Sequence, residues 1–68
     1  MEYMLQYFTY DHLPERLQEV SRPFAELAKT LVNRVNGDMT PTESSKRETT
    51  VALRKLLEAK DAAVRSRL

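Results

Sequence analysis

The side chains of this sequence best suited to chemistry are rings and guanidinium groups. Tyr3, Tyr7, Phe8 and Tyr10 crowd into MEYMLQYFTYDH, residues 1–12, and Phe24 is the one aromatic elsewhere. A tyrosine face can stack a nucleobase, worth about 1–3 kcal/mol per base, and Tyr7 or Tyr10 could serve. The same rings could instead dock on the rest of the chain and complete its core. A second group is basic: Lys46 and Arg47 are followed by Thr49, Thr50 and Arg54. At a helix start, free N–H groups, hydroxyls and guanidinium forks together can hold a phosphate. The alternative there is a solvated face with Glu43 and Glu48 as neighbours. Arg22, beside Pro23, is a further anion-binding candidate, or else an exposed arginine. His12 reads as a capping or packing residue before it reads as a ligand.

Catalytic chemistry finds little support. Ser44, Ser45, Thr49 and Thr50 are hydroxyls with no evident base, and His12 stands more than thirty residues away. Gly37 is the sole glycine, so no glycine loop cradles a phosphate. With no cysteine and one histidine, disulfides and thiolate metal sites are excluded, and no spaced ligand set surrounds His12. We expect no enzyme, no metal and no cofactor. The net charge of +1 is not the footprint of a duplex nucleic-acid binder. No stretch has the apolar length of a membrane span, and the start lacks a signal-peptide layout. A cytoplasmic protein is expected.

These groups need elements to position them. A chain of 68 residues holds one domain, 1–68. Domains this small bury only about 60% of their unfolded surface, so the core is marginal. Oligomerisation is the remaining remedy. From Leu13 the apolar period becomes helical: Leu13, Leu17, Val20, Phe24, Leu27, Leu31 and Val35 lie within about 80° on a helical wheel, a narrow seam for one facing helix. Asp11 is a plausible cap, Pro14 and Glu15 suit a first turn, and Asn36-Gly37 offers a left-handed stop. Pro23 interrupts without shifting the apolar phase, which predicts a kink in one helix; a second helix capped by Ser21 is the runner-up. GDMTPTESS forms a turn in which Thr40 with Glu43 competes with Ser45 and Glu48 as a capping box. On helix 2, Ala52, Leu56, Ala59 and Ala63 line one side, and Leu53, Leu57, Val64 and Leu68 the next. Together they span about 180°, more than one partner helix covers. The small side would approach helix 1, leaving the leucine side for another chain. The expected fold is all-α: an antiparallel two-helix hairpin with a short aromatic N-terminal arm, assembled as a homo-oligomer. We place the arm at 1–12, helix 1 at about 13–36, the turn at 37–45 and helix 2 at about 46–67.

The run Phe8-Thr9-Tyr10-Asp11-His12-Leu13-Pro14 is similar to an F-x-Y-H-x-P start, with Asp11 inserted. Phe24-Ala25-Glu26-Leu27 follows mid-helix. Ser45 to Ala59 (SKRETTVALRKLLEA) is similar to an S-R-E-x-S-x-A-L-x-K-L-x-E-A run, with Lys46 inserted. Over residues 8–65 the chain thus resembles the helical-hairpin family of phage anti-CBASS and anti-Thoeris proteins. The resemblance implies a sponge, which binds cyclic nucleotide immune signals and sequesters them without cleavage in the cytoplasm of the infected bacterial host. It implies a homo-oligomer, typically a hexamer, with pockets between subunits. It implies cyclic dinucleotides, cyclic trinucleotides or cyclic ADP-ribose-type signals as ligands. It implies Tyr10 as the base-stacking ring, with Arg47, Thr50 and Arg54 as phosphate or ribose contacts. Arg22 joins them on charge and position. The alternative function is a small oligomeric helical protein–protein interaction module without a nucleotide ligand.

Overall fold

Long apolar-periodic runs rich in Leu, Ala, Arg, Lys and Glu favour helix, and Gly37 and Pro41 break the pattern between them. The computed structural model describes residues 2–68, with side chains from Tyr3 onward; Met1, the first residue of the expected arm, lies outside the described residues. A 3₁₀ segment, Glu2–Phe8, precedes α1 (Glu15–Asn36) and α2 (Glu43–Arg65). The two long helices pack together as a hairpin, and the 3₁₀ segment lies on both of them, mainly on α1. Among the described residues there is no strand, and no helix is long and apolar enough to cross a membrane.

Several local expectations are corrected. The arm begins as a short helix: Met4, Leu5 and Phe8, spaced by one and three residues, give it an apolar side, and Met4 and Phe8 are buried. Asp11 does not cap α1. Pro14 occupies the cap position without a side-chain hydrogen bond. Instead the Gln18 amide Nε2 reaches back and donates to the carbonyls of Leu13 (2.8 Å) and Asp11 (3.4 Å). Gly37 ends α1 at φ −83°, ψ −7°, so its left-handed freedom is unused. Neither proposed capping box forms. Thr42 caps α2, its hydroxyl accepting from Ser45 N at 2.9 Å, and the turn is thereby shorter than expected. Pro23 sits inside a single α1, so no second helix begins at Arg22.

The larger correction concerns which faces meet. The buried stripe of α1 is Leu17, Ser21, Ala25, Ala28 and Val32. It is rotated by about 80° from the expected leucine seam on the helical wheel. Leu27, a member of that seam, stays 47% exposed. The cause is a second neighbour. Burial peaks on the side of α1 that faces both α2 and the 3₁₀ segment, and small side chains let both approach.

On α2 the expected division between the two sides does not hold, since both contribute to the core and Leu68, from the leucine side, stays exposed. Leu53, from the leucine side, is fully buried in a cluster with Phe8, Met4, Ala25, Ala28 and Val32, and Leu56 and Leu57 pack against it. Ala52 and Ala59 are exposed. A large side chain on α2 fills the hollow left by small ones on α1. At the open end, Arg16 Nη1 donates to the Arg67 carbonyl at 2.8 Å. Two turns earlier on α2 the Lys60 side chain, 14% exposed, pairs with Asp61 at 2.9 Å.

The result is a rod of 41 × 17 × 15 Å. Its radius of gyration is 12.9 Å, against about 11 Å for an ordinary domain of this length. Its surface is 4896 Å², against about 4,400 Å² for a monomer of this mass. The excess is consistent with exposed Leu27, Ala52 and Ala59.

Two outcomes follow from this packing. Leu53→Ala should destabilise the fold by about 2–5 kcal/mol, whereas Ala52→Ser should stay within about 0.5 kcal/mol; urea unfolding followed by circular dichroism separates them. Ser21 is fully buried, and among the described residues its hydroxyl has no hydrogen-bond partner. Ser21→Ala should therefore stabilise the protein by about 1 kcal/mol in the same measurement.

Candidate ligand site between the arm and helix 1

The 3₁₀ segment turns back onto α1 through residues 9–14. Thr9 Oγ1 donates to the Gln6 carbonyl at 3.1 Å, and Leu13 N donates to the Tyr10 carbonyl at 3.0 Å. These bonds close the turn and fix Tyr10 beside α1. Tyr10 is half-buried against the core cluster, and the Arg22 guanidinium carbon lies 5.6 Å from its ring centroid. That is within cation–π range. Two of the residues singled out from the sequence are thus brought together.

Next to the ring lies a cleft of ≈ 280 Å³. Leu5, Phe8 and Ala25 give it apolar walls. Thr9, Tyr10, Asp11 and Lys29 supply its polar and aromatic groups. Pockets for drug-sized ligands run to about 300–1,000 Å³, so this one suits a single flat ring system. A second hollow, ≈ 690 Å³, lies between the open ends of the helices and is lined by Arg16, Glu19, Val20, Pro23, Ala63, Ser66 and Arg67. It is larger but shallow and holds no aromatic ring. The arm cleft is the better candidate on chemistry.

The other three candidates form a separate group. Arg47, Thr50 and Arg54 follow at steps of three and four along one face of α2. Both arginines are exposed. The Thr50 hydroxyl, half-buried, donates to the Lys46 carbonyl at 3.1 Å, and Thr49 likewise donates to Ser45 at 2.8 Å. Their acceptor lone pairs remain usable. In the antiparallel hairpin Arg47 lies about 15 Å along the axis from Arg22, Thr50 about 10 Å and Arg54 about 5 Å, at 1.5 Å per residue. One chain presents two groups: a ring with a cation at the arm, and a row of donors on α2.

Lys29 and Asp11 were missed as site residues. Lys29 stands seven residues after Arg22, two turns along the same helix face, and that spacing was a usable signal. Asp11 drew the reading of a cap instead. Compared with protein-family models, curated proteins and solved structures, the chain matches none.

The cleft makes a distinction between the two buried and half-buried rings. Phe8→Ala should undock the 3₁₀ segment and cost about 3–5 kcal/mol. Tyr10→Ala, at the rim of the cluster, should cost only about 1 kcal/mol. Thermal unfolding of the two variants tests the difference.

Proposed function

We propose that this protein is a phage anti-defence sponge that binds cyclic nucleotide immune signals and sequesters them without cleavage. The observation that carries this reading is the Arg22 guanidinium over the Tyr10 ring, beside a cleft sized for one base. A stacking platform next to a cation is what a nucleotide needs: a flat apolar face for the base and positive charge for the phosphate. The separate row of Arg47, Thr50 and Arg54 supplies further phosphate and ribose contacts. The resemblance implies pockets between subunits, and on this reading the arm of one copy meets α2 of another. The exposed stripe of Leu27 with Ala52 and Ala59 is a surface such assembly would cover. The resemblance favours a homohexamer, acting in the cytoplasm of an infected bacterium. Cyclic dinucleotides, cyclic trinucleotides and cyclic ADP-ribose-type signals are the ligand classes. Tight holding, with no chemical step, is the mechanism.

That same stripe also favours the second reading, a small oligomeric helical interaction module without a nucleotide. The two readings part at Tyr10. A sponge loses binding in Tyr10→Ala while keeping its fold; an interaction module has no nucleotide binding to lose.

Titration calorimetry against a panel of cyclic dinucleotides and trinucleotides should give micromolar or tighter binding, weakened at least about tenfold by Tyr10→Ala or Arg54→Ala. Ligand recovered after denaturing the protein should be intact. Native mass spectrometry should show an oligomer, and a monomer at micromolar concentration would contradict the assembly. Absence of binding to every member of the panel would remove the sponge reading.

A further inference from the structure

The arm cleft contains two opposite charges that do not meet. Asp11 and Lys29 both line it, yet among the described residues the ion pairs are Lys46 with Glu43 and Lys60 with Asp61. The Asp11 carboxylate also accepts no hydrogen bond there; only its backbone carbonyl is engaged, by Gln18. One residue with an ammonium and one with a carboxylate, not paired with each other, thus line the same one-base space, with Tyr10 as its ring.

Lys29 suits a phosphodiester. Asp11 does not, because a carboxylate repels the phosphates of any cyclic nucleotide. Its favourable partner in such a ligand is a pair of N–H donors. A carboxylate offers two acceptor oxygens side by side and binds best to two parallel donors. The open Watson–Crick edge of an unstacked base is where these are read. Guanine presents N1–H beside N2–H, two adjacent donors. Adenine presents its N6 donor beside the N1 acceptor, and cytosine its N4 donor beside the N3 acceptor. Uracil has a single N–H flanked by two carbonyls. Each of the latter three sets an acceptor against one carboxylate oxygen.

We infer that Asp11 makes the arm cleft a guanine-selecting subsite: the base stacks on Tyr10, its N1–H and N2–H donate to the carboxylate, and Lys29 neutralises the adjoining phosphate. The inference rests on the proposed cyclic-nucleotide reading and goes beyond it by naming the base. Selectivity comes from two terms of the same sign, since the wrong base both lacks a donor and brings a lone pair against the carboxylate.

Calorimetry with cyclic di-GMP and cyclic di-AMP, on the wild type and on Asp11→Asn, tests it. The wild type should bind the guanine ligand on the order of tenfold more tightly, the size expected of an exposed charge-assisted contact. Asp11→Asn should abolish that preference by weakening cyclic di-GMP alone, with circular dichroism unchanged. Equal or weaker wild-type affinity for cyclic di-GMP overturns the inference while leaving the sponge reading intact. So does an Asp11→Asn variant that weakens both ligands alike. Failure of the wild type to bind any cyclic nucleotide overturns the sponge reading and this inference with it.

Discussion

The structure depends on one steric fit: Leu53 of α2 set against the small side chains of α1. Leu53 is fully buried in the cluster that holds Ala25, Ala28 and Val32. A longer residue at either alanine would force the helices apart, and overpacking of this kind costs about 1–3 kcal/mol. The fit also fixes the rotation of both helices. With Ala25 and Ala28 turned inward, the next residues around α1 (Arg22, Lys29) fall beside the arm, and Leu27 falls on the far side. With Leu53 turned inward, Ala52 and Ala59 must face outward. The position of the ligand cleft and the location of the bare apolar surface follow from the same contact.

The hairpin was legible in the sequence because its signals are periodic and its breakers strong. Helical spacing from Leu13 to Val35, Asn36-Gly37, Pro41 and the leucine-rich second run define two helices and one turn. The rotational phase was not legible. Helix 1 carries two overlapping stripes, one of leucines and one of small residues, and hydrophobicity favours the leucines. The small stripe wins because it faces two neighbours, and the second neighbour is the arm. That the arm folds back cannot be read from α1 at all. Helix 2 was misread for a related reason: a small face was assumed to be the one approached closely, whereas close approach here is supplied by α1. Among the caps, Thr40, Thr42 and Ser45 are chemically alike, and the sequence pattern could not rank the one that forms.

The candidate site divides in the same way. Residue type offered Tyr7 or Tyr10, Arg22 and the basic group from Lys46 to Arg54; the resemblance implied Tyr10, Arg47, Thr50 and Arg54 among them. The pairing of Tyr10 with Arg22 needed the turn over residues 9–14 to bring the ring across α1, which is a tertiary event. Asp11 and Lys29 entered only once the cleft had walls. Leu5 and Phe8 supply those walls, so residues that close the core on one side floor the site on the other.

Pro23 has a consequence for how the site is held in shape. A proline donates no backbone hydrogen bond, so the carbonyl of Glu19 loses its partner in the α1 ladder. The ladder is thus weakest next to Arg22, between a short leading stretch and the longer part of α1 that packs on the Leu53 cluster. The leading stretch is held by Leu17, by Ser21 and by the Arg16–Arg67 bond at the exposed end. Segments of this kind open as small cooperative units before the whole protein unfolds. Arg22 lies at the edge of that unit, while Tyr10 is anchored through the docked arm. Arg22 therefore reaches the Tyr10 ring from the one point of α1 where the ladder lacks a bond, and the contact is braced from the arm side instead.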